Sequence, residues 1–224
     1  MSHYHKNFQD ITVFNHGYFR TKFKRFLNKL GVKPNYDEFV AHTLTEVMCH
    51  EMPDRYYHTA VHVMAMFDFA EENNITLTDA EQLAIWFHDA IYDVNVKSFG
   101  PNEEASAAFM DSLLMGKIDR GLLDTAYRII EDTARHLESG ILTSYKVMDL
   151  DLSSFAYDYE QYKRVCEFLR MESGLDKKTF MEKRGPFIDQ LFSHKYGPYR
   201  TEEFAKFEAK ARENEERFRE ENNV

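Results

Sequence analysis

An imidazole and a carboxylate stand side by side at His88-Asp89, at the end of the apolar run Ala84-Ile85-Trp86-Phe87. Charge in an apolar setting is costly unless it is paired or bound to metal. Asp93 lies four residues beyond Asp89 and shares its face if a helix continues that far. Upstream, Tyr57-His58-Thr59-Ala60-Val61-His62 places two histidines at helical i,i+4 spacing, and downstream Met148-Asp149-Leu150-Asp151-Leu152-Ser153 supplies a second acidic pair. Mixed imidazole and carboxylate donors suit a divalent ion, with Mn, Mg, Zn, Fe, Co and Ni all admissible, as one ion or two.

These three pieces need a scaffold to bring them together. Phe19, Phe23, Phe26, Leu27 and Leu30 form an apolar stripe over 19–30, with Arg20, Lys22, Lys24, Arg25 and Lys29 on the remainder. This basic amphipathic helix either packs on the domain or meets an acidic partner or membrane surface. Apolar spacing predicts further helices over 36–52, 59–73, about 78–92, 102–115, 119–136, 157–171, 176–192 and 201–220. Pro53 stops the second, Ser139-Gly140 ends the sixth, and Gly185-Pro186 falls inside 176–192 as a possible kink. Thr78-Asp79-Ala80-Glu81 has the form of a capping box and opens the helix leading to His88. The stretch 93–102 reads as a loop bordering the site. No period-two alternation and no internal repeat is present, so the expectation is an all-α chain of one domain over residues 1–224. Within it, 1–33 is a basic extension, 34–200 the core that holds the metal residues, and 201–224 a C-terminal helix.

Composition excludes several classes. A formal charge of −10 argues against a broad nucleic-acid-binding surface, although a bound cation can still draw in a small anion. No run approaches the roughly 20 apolar residues of a membrane span, and the polar start Met1-Ser2-His3-Tyr4-His5-Lys6 does not read as a signal peptide. Cys49 and Cys166 are the two cysteines, far apart, and fit a reduced, cytoplasmic setting.

The order His…His-Asp…Asp resembles the HD superfamily of metal-dependent phosphohydrolases. A tighter resemblance is to a bacterial and phage-type group of predicted HD phosphohydrolases. It is carried by Tyr57-His58-Thr59-Ala60-Val61-His62, Phe87-His88-Asp89-Ala90-Ile91-Tyr92-Asp93, Asn102-Glu103-Glu104-Ala105-Ser106-Ala107 and Asp149-Leu150-Asp151-Leu152-Ser153, and spans about residues 35 to 220. It implies an HD-like helical bundle with extra N- and C-terminal helices. The cyclic-nucleotide phosphodiesterases are distantly similar in the same order. That likeness implies His62, His88, Asp89 and Asp151 as metal ligands and His58 as general acid, with Asp151 preferred to Asp149 for its Asp-Leu-Ser context.

Around that set, Asp93, Glu103 and Glu104 are candidates to orient water or to hold a second ion through water. Glu103 and Glu104 also suit the first turn of a helix for its dipole alone. His136 is a candidate extra ligand or phosphate contact, and Arg55, Lys146 and Arg184 are candidate phosphate-binding cations. Asp149 is a candidate to support the ligands or a second ion, and otherwise reads as a solvated or capping residue.

The expected activity is hydrolysis of a small phosphate ester or anhydride, a nucleotide among them, with oligomerisation left open. Two alternatives use the same residues. One is an HD-type di-iron oxygenase, for which extra histidines would be expected between His88-Asp89 and the last aspartate; only His136 lies there. The other is a non-catalytic nucleotide-binding regulator.

Overall fold

The computed structural model describes residues 15–49, 55–93, 101–134, 136 and 142–222. Among these the chain is all-α, with ten α-helices and no strand beyond two isolated bridges around Tyr196. No described helix is long and apolar enough to cross a membrane. The Pro53 stop, the Ser139-Gly140 break and most of the 93–102 loop fall outside the described residues.

The basic segment forms α1 (His16–Lys29), capped by Asn15 and followed by α2 (Tyr36–Cys49). Its stripe is part of the core: Phe19, Phe23, Phe26 and Leu27 are buried, and Phe19 and Phe23 pack against Trp86 at ring-centroid distances of 5.1 and 4.8 Å. Burial of each such side chain stabilises by roughly 1.5–3 kcal/mol. The helix is thus bonded into the domain by its apolar face while its charged face carries the ion pair between Lys24 and Glu38.

α3 (Ala60–Glu72) starts where the Thr59 hydroxyl accepts from the Val61 N–H. Eleven of its residues are buried, from Ala60 to Ala70, so it runs through the middle of the molecule. His58 therefore precedes the helix and His62 sits in its first turn. The expected capping box opens α4 (Asp79–Phe87): the Glu81 N–H donates to the Thr78 hydroxyl and the Glu81 carboxylate accepts from the Thr78 N–H.

α4 is shorter than periodicity predicts and ends before His88-Asp89. Beyond Phe87 the backbone is claimed by side chains from elsewhere. Arg55 donates to the carbonyls of Asp89 and Ala90, and Ser106 of α5 (Asn102–Leu114) both accepts from the Ile91 N–H and donates to its carbonyl. These bonds offer the chain an alternative to another helical turn, so Asp89 and Asp93 do not share a helix face.

α6 (Arg120–Thr133) also stops short of its predicted end, and His136 lies beyond it at φ 48° in the left-handed region. α7 (Leu142–Asp151), a short 3-10 segment (Leu152–Ala156), α8 (Tyr159–Glu172) and α9 (Lys177–Phe192) follow. α9 continues through Pro186. The C-terminal segment is divided into a 3-10 stretch (Glu202–Phe207) and α10 (Glu208–Asn222), with Phe204 and Phe218 buried.

Candidate metal centre

Four nitrogen and oxygen donors from three elements face one point. His62 Nε2, from the start of α3, lies 3.3 Å from His88 Nε2 and 2.7 Å from Asp151 Oδ1 at the end of α7. Asp89 Oδ2 is 3.0 Å from His88 Nε2 and 3.7 Å from His62 Nε2. His62, His88 and Asp151 each offer a ligand atom within 4.8 Å of the others, a grouping that could hold a metal ion. A cation with bonds of about 2.1 Å holds its donors roughly 3.0–3.4 Å apart in octahedral or tetrahedral geometry. The His62–His88 and His88–Asp89 separations match that spacing.

The protonation pattern fits an ion as well. His88 Nδ1 is 3.0 Å from the Ile85 carbonyl, which can only accept, so Nδ1 carries a proton and Nε2 is the nitrogen turned to the centre. Asp89 Oδ2 is buried, and the polar groups that face it are the imidazole nitrogens of His88 and His62. Burial opposes ionisation of Asp89 and Asp151, yet the surrounding imidazoles hold both carboxyls below their ordinary range. Burial likewise opposes a charged His88, but Asp89 and Asp151 hold it well above its ordinary value in the absence of a competing cation.

His136 joins the cluster, with Nε2 3.2 Å from Asp151 Oδ2 and a buried Nδ1 that has no partner. Burial lowers its pKa and keeps the ring neutral, as a ligand requires. Its backbone carbonyl accepts from Arg200 at 2.7 Å, which fixes the left-handed turn.

His58 stands beside these donors without being one of them. Its Nδ1 pairs with the Glu172 carboxylate at the end of α8, and its ring stacks on Tyr92 at 4.0 Å and 19°. The other Glu172 oxygen accepts from the backbone N–H groups of Tyr56, Tyr57 and His58 at 2.9, 2.8 and 3.2 Å. Glu172 therefore fixes both the ring and the backbone that carries it, leaving Nε2 to exchange a proton. Burial opposes protonation of His58, but Asp89 and Glu172 outweigh it and raise its pKa.

Glu172 was not among the residues singled out by sequence. One signal was there: an acid in a helix's last turn opposes the dipole and so needs a separate reason. The stacking role of Tyr92 was equally hidden.

The remaining candidates divide. Glu103 is half-buried, and burial followed by the charges of Asp89 and Asp151 raises its pKa, so it feels the centre. Its neighbour Glu104 is exposed, and its resolved influence is on Tyr127 of α6. A helical step of about 100° separates the two, which corrects the expectation that Glu104 faces the site. Asp93 borders it, with its N–H donating to Asn102 Oδ1 at 3.1 Å.

Asp149 and Asp151 are two residues apart on α7 and so point to different sides. Asp149 accepts from the N–H groups of Arg200 and Thr201 and from the Thr201 hydroxyl at 2.7, 2.8 and 2.6 Å, tying α7 to the C-terminal segment rather than to the centre. Burial pushes its carboxyl up to about 6 against the pull of these donors.

The three expected phosphate-binding cations are engaged by the protein. Arg55 is spent on the carbonyls of His58, Asp89 and Ala90. Lys146 donates to the Thr76 carbonyl at 2.8 Å, near Glu81 at the opposite end of α4 from His88. Arg184 is paired with Glu215 at 2.7 Å and with the Tyr162 hydroxyl at 2.5 Å. No protein-family model matches the chain, and no curated protein matches it.

Proposed function

We propose that the chain is a metal-dependent phosphohydrolase of the HD type, acting on a small phosphate ester or anhydride. The observation that carries this reading is the convergence of His62, His88, Asp89 and Asp151 beside a His58–Glu172 pair. A divalent ion held there lowers the pKa of bound water and polarises a phosphoryl oxygen. His88 is oriented by the Ile85 carbonyl and Asp89 by the turn that Arg55 clamps, so both arrive with fixed geometry. His58, protonated and aimed by Glu172, supplies a proton to the leaving oxygen. In this reading Glu103, which feels the charges of Asp89 and Asp151, orients water at the edge of the centre.

The test is metal analysis of the purified protein, then a screen of nucleotides and simple phosphate esters with Mn²⁺, Mg²⁺ or Zn²⁺ added. Stoichiometric metal and metal-dependent phosphate release are expected, both lost in Asp89→Ala. Turnover unaffected by chelation would overturn the assignment.

The presence of His136 at 3.2 Å from Asp151 favours a second reading, an iron oxygenase on the same scaffold. Oxygen consumption by the Fe²⁺-loaded protein, with no phosphate release from any ester, would establish that reading instead.

A further inference from the structure

A pocket of about 410 Å³ opens directly from the centre, with His58, His136 and Asp151 at one end. It is lined by Phe155, by Val165 and Leu169 from α8 and by Phe180, Phe187 and Ile188 from α9. Val165 and Leu169 are four apart, and Phe180 lies seven and eight residues before Phe187 and Ile188, so each wall is one apolar stripe. Stripes of this kind normally close on each other. Here α8 and α9 make little direct contact among the described residues, and Phe187 is left 41% exposed.

Apart from Lys183 at the rim, most polar groups along the walls are already used. The Tyr162 hydroxyl and the Arg184 guanidinium are both bonded to Glu215, and the Ser173 hydroxyl donates to the Arg170 carbonyl at 2.7 Å. The Ser154 hydroxyl is paired with Tyr57. Burial keeps the Cys166 thiol neutral. Lys183 is exposed at the solvent side. A nucleobase or sugar entering this space would bury donors and acceptors without partners, at a penalty of roughly tenfold per group. An apolar body of two or three rings, or an alkyl chain of similar bulk, would fill it without that loss.

We infer that this pocket holds the organic part of the substrate, and that the substrate is a phosphate compound with an apolar aryl or alkyl group rather than one recognised through a nucleobase. The inference rests on the phosphohydrolase reading of the adjoining centre. It adds that the α8–α9 slot, and not a basic surface, supplies selectivity.

Non-hydrolysable phosphonates test it by calorimetry on the full-length, Mn²⁺-loaded protein. Naphthylphosphonate is expected to bind at least about thirtyfold more tightly than methylphosphonate, since its rings leave water. Val165→Phe, which narrows the slot, should remove most of that advantage while the protein still takes up its metal. Phe187→Ser, a change at an exposed side chain, should reduce it in the same direction if the first variant fails to fold. Equal affinity for the two phosphonates would overturn the pocket assignment and leave the metal-centred reading standing. Tighter binding of adenosine monophosphate than of naphthylphosphonate would overturn it too, as would naphthyl affinity indifferent to metal. Failure of every phosphonate to bind metal-loaded protein would remove the phosphohydrolase reading and this inference together.

Discussion

At the scale of single residues, the division of labour between His58 and His62 is the central point. The two are four apart in sequence, yet one pairs with Glu172 and the other faces Asp151 and His88. His58→Ala is expected to retain the metal while lowering kcat by about 10²–10³-fold, the usual contribution of a positioned proton donor. Equal loss of metal and turnover would place His58 among the ligands. Glu172→Gln keeps the shape of the contact but removes the charge that favours imidazolium. Its expected signature is a basic limb of the rate–pH profile displaced to lower pH, with metal content intact; an unmoved limb would deny Glu172 its positioning role. Adjacent donors such as His88-Asp89 are visible in a sequence because their chemistry is local. Glu172 is 114 residues from His58, and nothing local marks the pairing.

At the scale of elements, most helices were legible because they show an apolar stripe, and α7 was not because it is buried on several sides. Ser144, Val147, Met148, Asp149 and Leu150 are all covered, so no polar face betrays the period. The early ends of α4 and α6 were hidden for a different reason. Arg55, Ser106 and Arg200 take up backbone groups beyond those helices, and such long-range competitors have no local signature. Arg55 is the element-scale test. Arg55→Met leaves the carbonyls of His58, Asp89 and Ala90 unpaired in a buried setting, for a loss of roughly 3 kcal/mol or more. Chemical denaturation should register that loss, together with weaker metal binding as the Asp89 turn loosens. Undiminished stability would mean that Arg55 does not hold the turn.

At the scale of the whole molecule, a second buried charge network lies away from the centre. Arg184 bonds Glu215, which also accepts from the Tyr162 hydroxyl and, at 2.7 Å, from Arg219, and this joins α8, α9 and α10. Burial raises the Glu215 carboxyl, but Arg184 and the other donors overcome it and hold the pKa below its ordinary value. A carboxyl depressed on folding stabilises the protein above its unfolded value near 4.3, and that contribution is lost as pH falls through the folded value. Glu215→Gln should therefore lower stability at neutral pH and flatten its decline below about pH 4.3. A denaturation series across pH 3–7 checks both, and an unchanged acid slope would show that another carboxyl governs it.

His62 and Asp151 meet although 89 positions separate them along the chain, and His88 comes in from 26 positions away. Any ion seated among them is consequently a cross-link as much as a reagent, closing large loops of polypeptide that would otherwise have to be held by packing alone. Folding and loading are then one linked equilibrium: above saturation, each tenfold rise in free ion adds about 1.4 kcal/mol to the folded state. A melting temperature that climbs with ion concentration, and drops on chelation even in the slowed His58→Ala protein, would reveal the cation as a structural rivet.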